Sequence, residues 1–423
     1  MTDARRILRY AIVATAAMLI AATLTSRAQT PSTGETLLNQ PAIQAALDAV
    51  RANEPDVLRE QVRLCEIAAP PFAEQARGLA YKAAFERLGL KNVRVDAAGN
   101  VIGERPGRQP RPRLVMSAHL DTVFPEGTVV KTTRSGSEIA GPGIGDDCRG
   151  LAVVLGVVRA MNEAKVETTG PVTFVGTVGE EGLGDLRGVK HLFKTELAGR
   201  IDSFVSVDGA GTSITRTAVG SRRYRVTFRG RGGHSFGDFG IANPVHALGR
   251  AIATIAALEV PADPKTTFNV GRVGGGTSVN SIAAEAWMEI DMRSSDRPSL
   301  SALDAKIVKA LDQARANENA RWKDSGRLTM DRELVGDRPA GNTAATAPIV
   351  LAAVRVSKAL GIEPSVEEGS TDSNIAMSLG IPAVTIDGGG RGTGSHSLGE
   401  RFDGTDSWKG TARALLLTVS LVR

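Results

Sequence analysis

His119 and Asp121 stand two apart in "VMSAHLDTVFPEG", residues 115–127, where an apolar run gives way to a loop. The chain has only five histidines. Another, His396, sits in the glycine-rich stretch "DGGGRGTGSHS" that follows "AVTI". Between the two lie Asp146-Asp147, then Glu180-Glu181 after "TFVGTVG", then Asp208 at the end of "FVSVD". Two histidines with four or five carboxylates make a poor serine or cysteine site. They suit a divalent cation, with zinc held at about 2.0–2.2 Å by imidazole and carboxylate. The supply matches two ions: one histidine and one carboxylate each, plus one carboxylate shared between ions about 3.5–4 Å apart. That chemistry requires the imidazoles of His119 and His396 to lie within roughly 9 Å of each other with an acid between them.

Residues so far apart in sequence must be gathered by the fold. "RLVMSAH", "PVTFVGTV" and "DSFVSVD" read as buried strands, and "GLAVVLGVVRAMNEA", 150–164, as a helix. Residues 41–88 are helical in pattern. Alternating strands and helices predict an α/β architecture with a mostly parallel central sheet flanked by helices. In such sheets ligands collect outside the carboxyl ends of the strands, where these acids and histidines fall. The character changes after about residue 214. "RRYRVTFRGRGGHS", "TTFNVGRVGGG" and "AEAWMEIDMRSS" alternate as antiparallel strands; 243–260 and 299–322 read as helices, and a further strand falls at about 326–334. This β-α-β-β-α-β order describes an α+β, ferredoxin-like insert over 215–336. It interrupts a parent domain made of 29–214 and 337–423, which resumes with helices at 346–361 and 408–422 around a strand at 381–389.

The ordered motifs "SAHLDTV", "GPGIGDDCRG", "VGEEG", "VDG" and "GTGSHS" resemble the dinuclear zinc peptidases that include peptidase T, glutamate carboxypeptidase and aminoacylase. The resemblance covers nearly all of the chain after residue 28, and the insert resembles that family's lid or dimerisation domain. It implies a zinc exopeptidase-like fold and two zinc ions per chain, with cobalt or manganese as substitutes. By the same resemblance His119 and Asp208 hold one metal, Glu181 and His396 the other, and Asp146 bridges them. Asp121 orients His119 through its other ring nitrogen, and a cis peptide joins Asp146 to Asp147. Glu180 is the general base. His234 in "GRGGHS" resembles a lid histidine that stabilises the oxyanion, often from a partner subunit; Asn280 and Arg293 resemble lid residues that bind a substrate carbonyl or carboxylate. The implied activity is exopeptidase action on short peptides. Asp208, where carboxypeptidase-like relatives carry glutamate, leans it towards aminopeptidase or tripeptidase action. A carboxypeptidase or N-acyl-amino-acid deacylase is the alternative, and a silent periplasmic binding protein on the same scaffold a remote one. The family's usual Asp-Asp-Lys-Gly departs here to Asp146-Asp147-Cys148-Arg149-Gly150.

Composition bounds the rest. At 42% hydrophobic and 23% charged, 423 residues suffice for two globular domains. Arg5, Arg6 and Arg9 precede an apolar run at 11–24, and Ser26-Arg27-Ala28 fits a cleavage site, so residues 1–28 read as a signal peptide for export to the periplasm or beyond. Its removal takes four arginines and one aspartate and lowers the net charge from +5 to +2, so no nucleic-acid partner is implied. Cleavage also leaves no stable membrane anchor. Expected partners are a short peptide substrate and a second copy of the chain through the lid. Cys65 and Cys148 read as free thiols, His191 and His246 as structural or surface histidines, Glu126 as a solvated loop residue, and Asp372 as a helix cap.

Overall fold

The computed structural model describes residues 37–322 and 327–423. The signal sequence read at 1–28 lies outside them. A nine-stranded sheet runs in spatial order Lys91–Val95, Val101–Arg105, Val172–Thr177, Leu114–His119, Ser203–Val207, Ala383–Ile386, Ile214–Ala218 and Gly341–Asn342, with Val366–Gly369 beside Ile214–Ala218. Its four central strands, from Val172–Thr177 to Ala383–Ile386, are parallel; antiparallel strands flank them. Parallel strands are covered on both faces, and "LVMSAH" is buried at every position. Its side chains alternate as a pleated strand requires. Leu114, Met116 and Ala118 join the large cluster under helices Pro41–Cys65, Cys148–Glu163 and Trp408–Leu421, while Val115 points into a smaller cluster with Val175, Phe204 and Leu192.

A separate antiparallel sheet, in order Thr266–Gly275, Glu285–Ser294, Gly220–Arg229 and Thr329–Arg338, packs against helices Pro244–Ala256 and Arg297–Arg321. It has its own core around Val226, Phe228, Met288, Ile290 and Leu311. Asn243 caps the first helix through Val245 N (2.9 Å), as its sequence foretells. Along Glu285–Ser294 alternate residues are buried, which leaves Asp291 and Arg293 on the opposite face. Across from them Asp291 pairs in register with Arg223.

The structure differs from the sequence reading in several places. Ile214–Ala218 pairs with Ala383–Ile386 in the large sheet, so the second sheet begins at Gly220 rather than 215. The helical stretch 41–88 is two helices, Pro41–Cys65 and Gln75–Arg87, parted by a proline-containing turn. A small sheet of three-residue strands, Thr133–Ser135, Glu138–Ala140, Arg391–Thr393 and Arg401–Asp403, was not anticipated. Among the described residues no helix is long and apolar enough to cross a membrane.

Candidate metal centre

The parallel strands deliver their acids and histidines to one end of the sheet. His119 ends Leu114–His119; Glu180 and Glu181 lie just past Val172–Thr177, and Asp208 just past Ser203–Val207. Asp146 and Asp147 precede helix Cys148–Glu163, and the peptide between them is cis. His396 enters from the loop between Arg391–Thr393 and Arg401–Asp403 with a positive φ of 64°, a conformation uncommon outside glycine.

These side chains meet around Asp146. Its Oδ1 lies 2.9 Å from His119 Nε2 and its Oδ2 3.1 Å from His396 Nε2. Glu181 Oε1 is 2.9 Å from His396 Nε2, and Asp208 Oδ1 is 3.7 Å from His119 Nε2. Ser395 Oγ donates to Asp146 Oδ2 at 3.1 Å. His119 is almost wholly buried, whereas the His396 side chain is 55% exposed and forms the rim. Asp147 has a different part. Its Oδ2 accepts from His119 N (2.9 Å), and its Oδ1 accepts from Gly150 N (2.9 Å) and Gly209 N (3.2 Å). Both oxygens are therefore engaged in bracing the strand ends, although the carboxylate also falls within a metal-sized cluster with His119 and Asp208. Residue 150 must be glycine for that brace, because a Cβ there would stand 2.2 Å from Asp147 Oδ1 and 2.4 Å from the Val207 carbonyl oxygen.

Electrostatically the cluster calls for positive charge. Burial opposes protonation of His119, but the carboxylates of Asp121, Asp146 and Asp208 outweigh it and lift its pKa well above the ordinary imidazole value. Hydrogen bonds to the Asp146 and Glu181 carboxylates raise His396 to about 10. Burial pushes Asp146 upward, yet the two imidazoles hold it far below the carboxylate range. His119, Asp146 and Glu181 offer ligand atoms within 4.8 Å of one another. A bridging carboxylate with one oxygen turned to each imidazole, and a further acid beside each imidazole, fits a pair of divalent ions.

Asp121 is placed otherwise than expected. The nearest acceptor to His119 Nδ1 is the Asp121 main-chain oxygen at 3.0 Å, and the Asp121 carboxylate is 3.6 Å away. That carboxylate instead accepts from Glu180 N (3.0 Å) and Glu181 N (2.8 Å), so it fixes the turn that carries both glutamates. Burial would raise its pKa, but His119 and the two amides hold it below the usual value.

Glu180 is buried against Arg338, whose Nη1 donates to Oε1 at 3.2 Å and whose Nη2 donates to the Glu180 carbonyl oxygen. Burial pushes the Glu180 pKa well up, and Arg338 counters only part of that. Arg338 was not singled out in the sequence; nor was Glu400, which accepts from Gly143 N (2.9 Å), Gly145 N (2.8 Å) and Asp146 N (3.0 Å) and so shapes the loop that presents Asp146. Asp372 is not a side-chain cap. Its backbone is already helical, and its Oδ2 accepts from Thr177 Oγ1 at 2.5 Å inside the protein. Burial raises its pKa to about 7. Cys65 and Cys148 are both free and buried.

The cleft above the cluster measures about 580 Å³, and its lining includes Arg223, Arg293, Arg338, Ser370 and Thr371 besides the acids and His396. Arg293 thus reaches the cleft, with its Nε on Asp291 Oδ2 at 2.8 Å. His234 and Asn280 do not line it. They sit side by side where Gly233–His234 pairs with Ser281–Ile282 in a separate two-stranded sheet, with Ser235 N bonded to the Asn280 carbonyl oxygen (3.0 Å) and His234 Nδ1 accepting from Gly237 N (3.2 Å). Both are exposed, as are Phe236, Phe239 and Val279 around them.

A mostly parallel sheet with imidazoles and carboxylates gathered beyond its strand ends defines a metal-dependent hydrolase. Residues 115–420 match the model of peptidase family M20/M25/M40, and the chain belongs to that family as a metallopeptidase. It is 26% identical to carboxypeptidase G2 of Pseudomonas sp. (strain RS-16) over 369 residues, covering 82% of this chain and 85% of that protein. Among solved structures it is similar to a tripeptidase from Staphylococcus aureus, with a TM-score of 0.72 and 24% identity over 88% of this chain and 98% of that one. It is also similar to YXEP of Bacillus subtilis, described as a dinuclear metal-binding peptidase, with a TM-score of 0.63 and 17% identity over 88% of this chain and all of that one.

Proposed function

We propose that the chain is an exported zinc-dependent exopeptidase of short peptides, leaning to aminopeptidase or tripeptidase action. The observation that carries this reading is Asp146, with one carboxylate oxygen on each of two imidazoles and Glu180 buried nearby. His119, Asp146 and Asp208 would hold one zinc ion; Asp146, Glu181 and His396 would hold the other. When bound, such a pair supplies Lewis acidity: it brings the pKa of a water towards about 7 and polarises the carbonyl under attack. Glu180 then takes the proton at Oε2, which has no partner among the described residues, and delivers it to the leaving amine. Arg338 offsets part of the cost of ionising that buried carboxylate. Arg293, with two terminal nitrogens free of bonds among the described residues, grips a carbonyl or carboxylate of the substrate.

His234 and Asn280 enter the reading through a second copy of the chain. Their exposure on the insert beside Phe236, Phe239 and Val279, away from the chain's own cleft, supports a role in a partner's cleft in a homodimer. Gel filtration coupled to light scattering at the mass of one chain would remove that part. Export rests on the basic and apolar segment at 5–24, and amino-terminal sequencing of the mature chain after Ala28 tests it.

The activity test is a panel of di- and tripeptides, free or blocked at either end, incubated with zinc-loaded protein. Release from peptides with a free amino terminus is expected. Cleavage that persists with a blocked amino terminus favours the carboxypeptidase or deacylase alternative, and no cleavage of any peptide sinks the reading.

A further inference from the structure

The wall of the cleft that the second sheet supplies is lined by guanidinium groups. Arg223, Arg293 and Arg338 all border it, and Val123 is the one apolar side chain among the described residues that do. Two carboxylates answer these three cations on that wall. Glu180 takes Arg338, while Asp291 is shared, with Oδ1 on Arg223 Nε (2.8 Å) and Oδ2 on Arg293 Nε (2.8 Å). One positive charge is left over. Asp291 holds the two arginines by their Nε atoms, so it fixes the bases of both guanidinium groups and leaves Nη1 and Nη2 of Arg293, and Nη2 of Arg223, for other partners. Arg223 spends Nη1 on the Gly182 carbonyl oxygen (2.7 Å), which ties it to the loop just after Glu181. Its side chain is mostly buried, so its position is set by the fold rather than by solvent.

A single terminal carboxylate of a peptide needs one such fork, and Arg293 alone supplies it. Arg223 is a second guanidinium, built at the cost of burying a cation, with Nη2 open to the cleft. We propose that Arg223 is a specificity residue: it receives the side-chain carboxylate of an aspartate or glutamate, so the preferred substrates are short acidic peptides. Arg223 stands opposite Asp291 in the sheet and Arg293 lies two residues along the same strand, so two carboxylates of one residue can be met together. The proposal rests on the peptidase reading for its substrate class, and it adds the charge and the residue that reads it.

The experiment compares isosteric pairs on the zinc-loaded protein. Values of kcat/KM are measured for Ala-Glu against Ala-Gln and for Glu-Ala against Gln-Ala, each with a free and an amidated carboxyl terminus. Calorimetry compares the affinities for free glutamate and glutamine. A charge-assisted fork predicts an acid-over-amide preference of about 10–100-fold at one of the two positions. The preference should survive amidation. Arg223→Gln should bring the ratio to within about threefold of unity, and Arg223→Lys, which keeps the charge but not the fork, should retain part of it. Equal rates on acid and amide in the wild type overturn the proposal whatever the variants do. So does a preference that survives Arg223→Gln, or one that vanishes on amidation, since the terminal carboxylate is then what is read. If no peptide is cleaved but glutamate binds at least tenfold tighter than glutamine in an Arg223-dependent way, the peptidase reading fails and the acidic pocket stands.

Discussion

Asp121→Asn isolates the residue whose placement departs most from expectation. The substitution keeps shape and removes charge. In the wild type the two carboxylate oxygens accept from Glu180 N at 3.0 Å and Glu181 N at 2.8 Å in a fully buried setting. An amide can satisfy one of those donors; its NH₂ must then face the other. One charge-assisted bond, worth about 1.5–3 kcal/mol, is lost, and a buried N–H is left unpaired at about 1–3 kcal/mol. Together that is about 2.5–6 kcal/mol, enough to turn the Glu180-Glu181 segment away from its native path rather than leave it strained. Glu181 is the acid beside His396, so metal affinity should fall by the 10–100-fold typical of residues that support a ligand from behind. The assay is competition between the protein and a chelator of known zinc affinity, run on wild type and variant, with urea unfolding of the metal-free forms alongside. A variant that is destabilised but binds zinc as tightly as wild type refutes the reasoning, because the turn would then be held in place by something other than Asp121.

Three further expectations follow from the same geometry. Glu180→Ala should keep its metal content while kcat falls by about 10²–10⁴, the range for loss of a general base; equal losses of metal and activity would mean that base and ligand have been exchanged. Arg338→Met strands the buried Glu180 carboxylate and should cost about 3–5 kcal/mol in urea unfolding, with part recovered in the double variant with Glu180→Gln; no recovery would mean that Arg338 stabilises through other contacts. Burial raises the folded-state pKa of Asp372 to about 7, above the ordinary value of 3.8, so its favourable contribution is complete below about pH 4 and is lost as pH rises towards 7. Asp372→Asn should therefore stabilise metal-free protein at pH 8 by a few kcal/mol, with the gain shrinking towards pH 4; a gain independent of pH would show that Asp372 does not titrate in that interval.

Much of the candidate site could be read before the fold was known, for a physical reason. His119, Glu181 and Asp208 each close or follow a β-branched, apolar run, and a parallel sheet sends all such ends to one side. The supports left no such mark. Arg338 lies in "VGDRPA" at the end of an edge strand, and Glu400 in a loop, "SLGERFD". Neither stands at a periodic position, and each matters only because the chain folds another segment onto it: Glu180 onto the one, and the 143–146 amides onto the other. Asp372 precedes a six-residue helix and so imitates a cap, yet its φ of −53° and ψ of −29° already belong to the helix, which turns the side chain inward. The start of the second sheet was misplaced because the strand-forming run from Ile214 to Arg229 is broken only at Val219, between two strands that belong to different sheets. The strands of the small sheet are three residues long, too short to show a period.

In the proposed site Asp146 bridges two cations held by residues 119, 181, 208 and 396. Elemental analysis by mass spectrometry on gently purified wild type and Asp146→Ala puts it directly to the test. Two divalent ions per chain in the wild type and at most one in the variant are predicted. Well under one ion per chain in the wild type, or two retained in the variant, would contradict it.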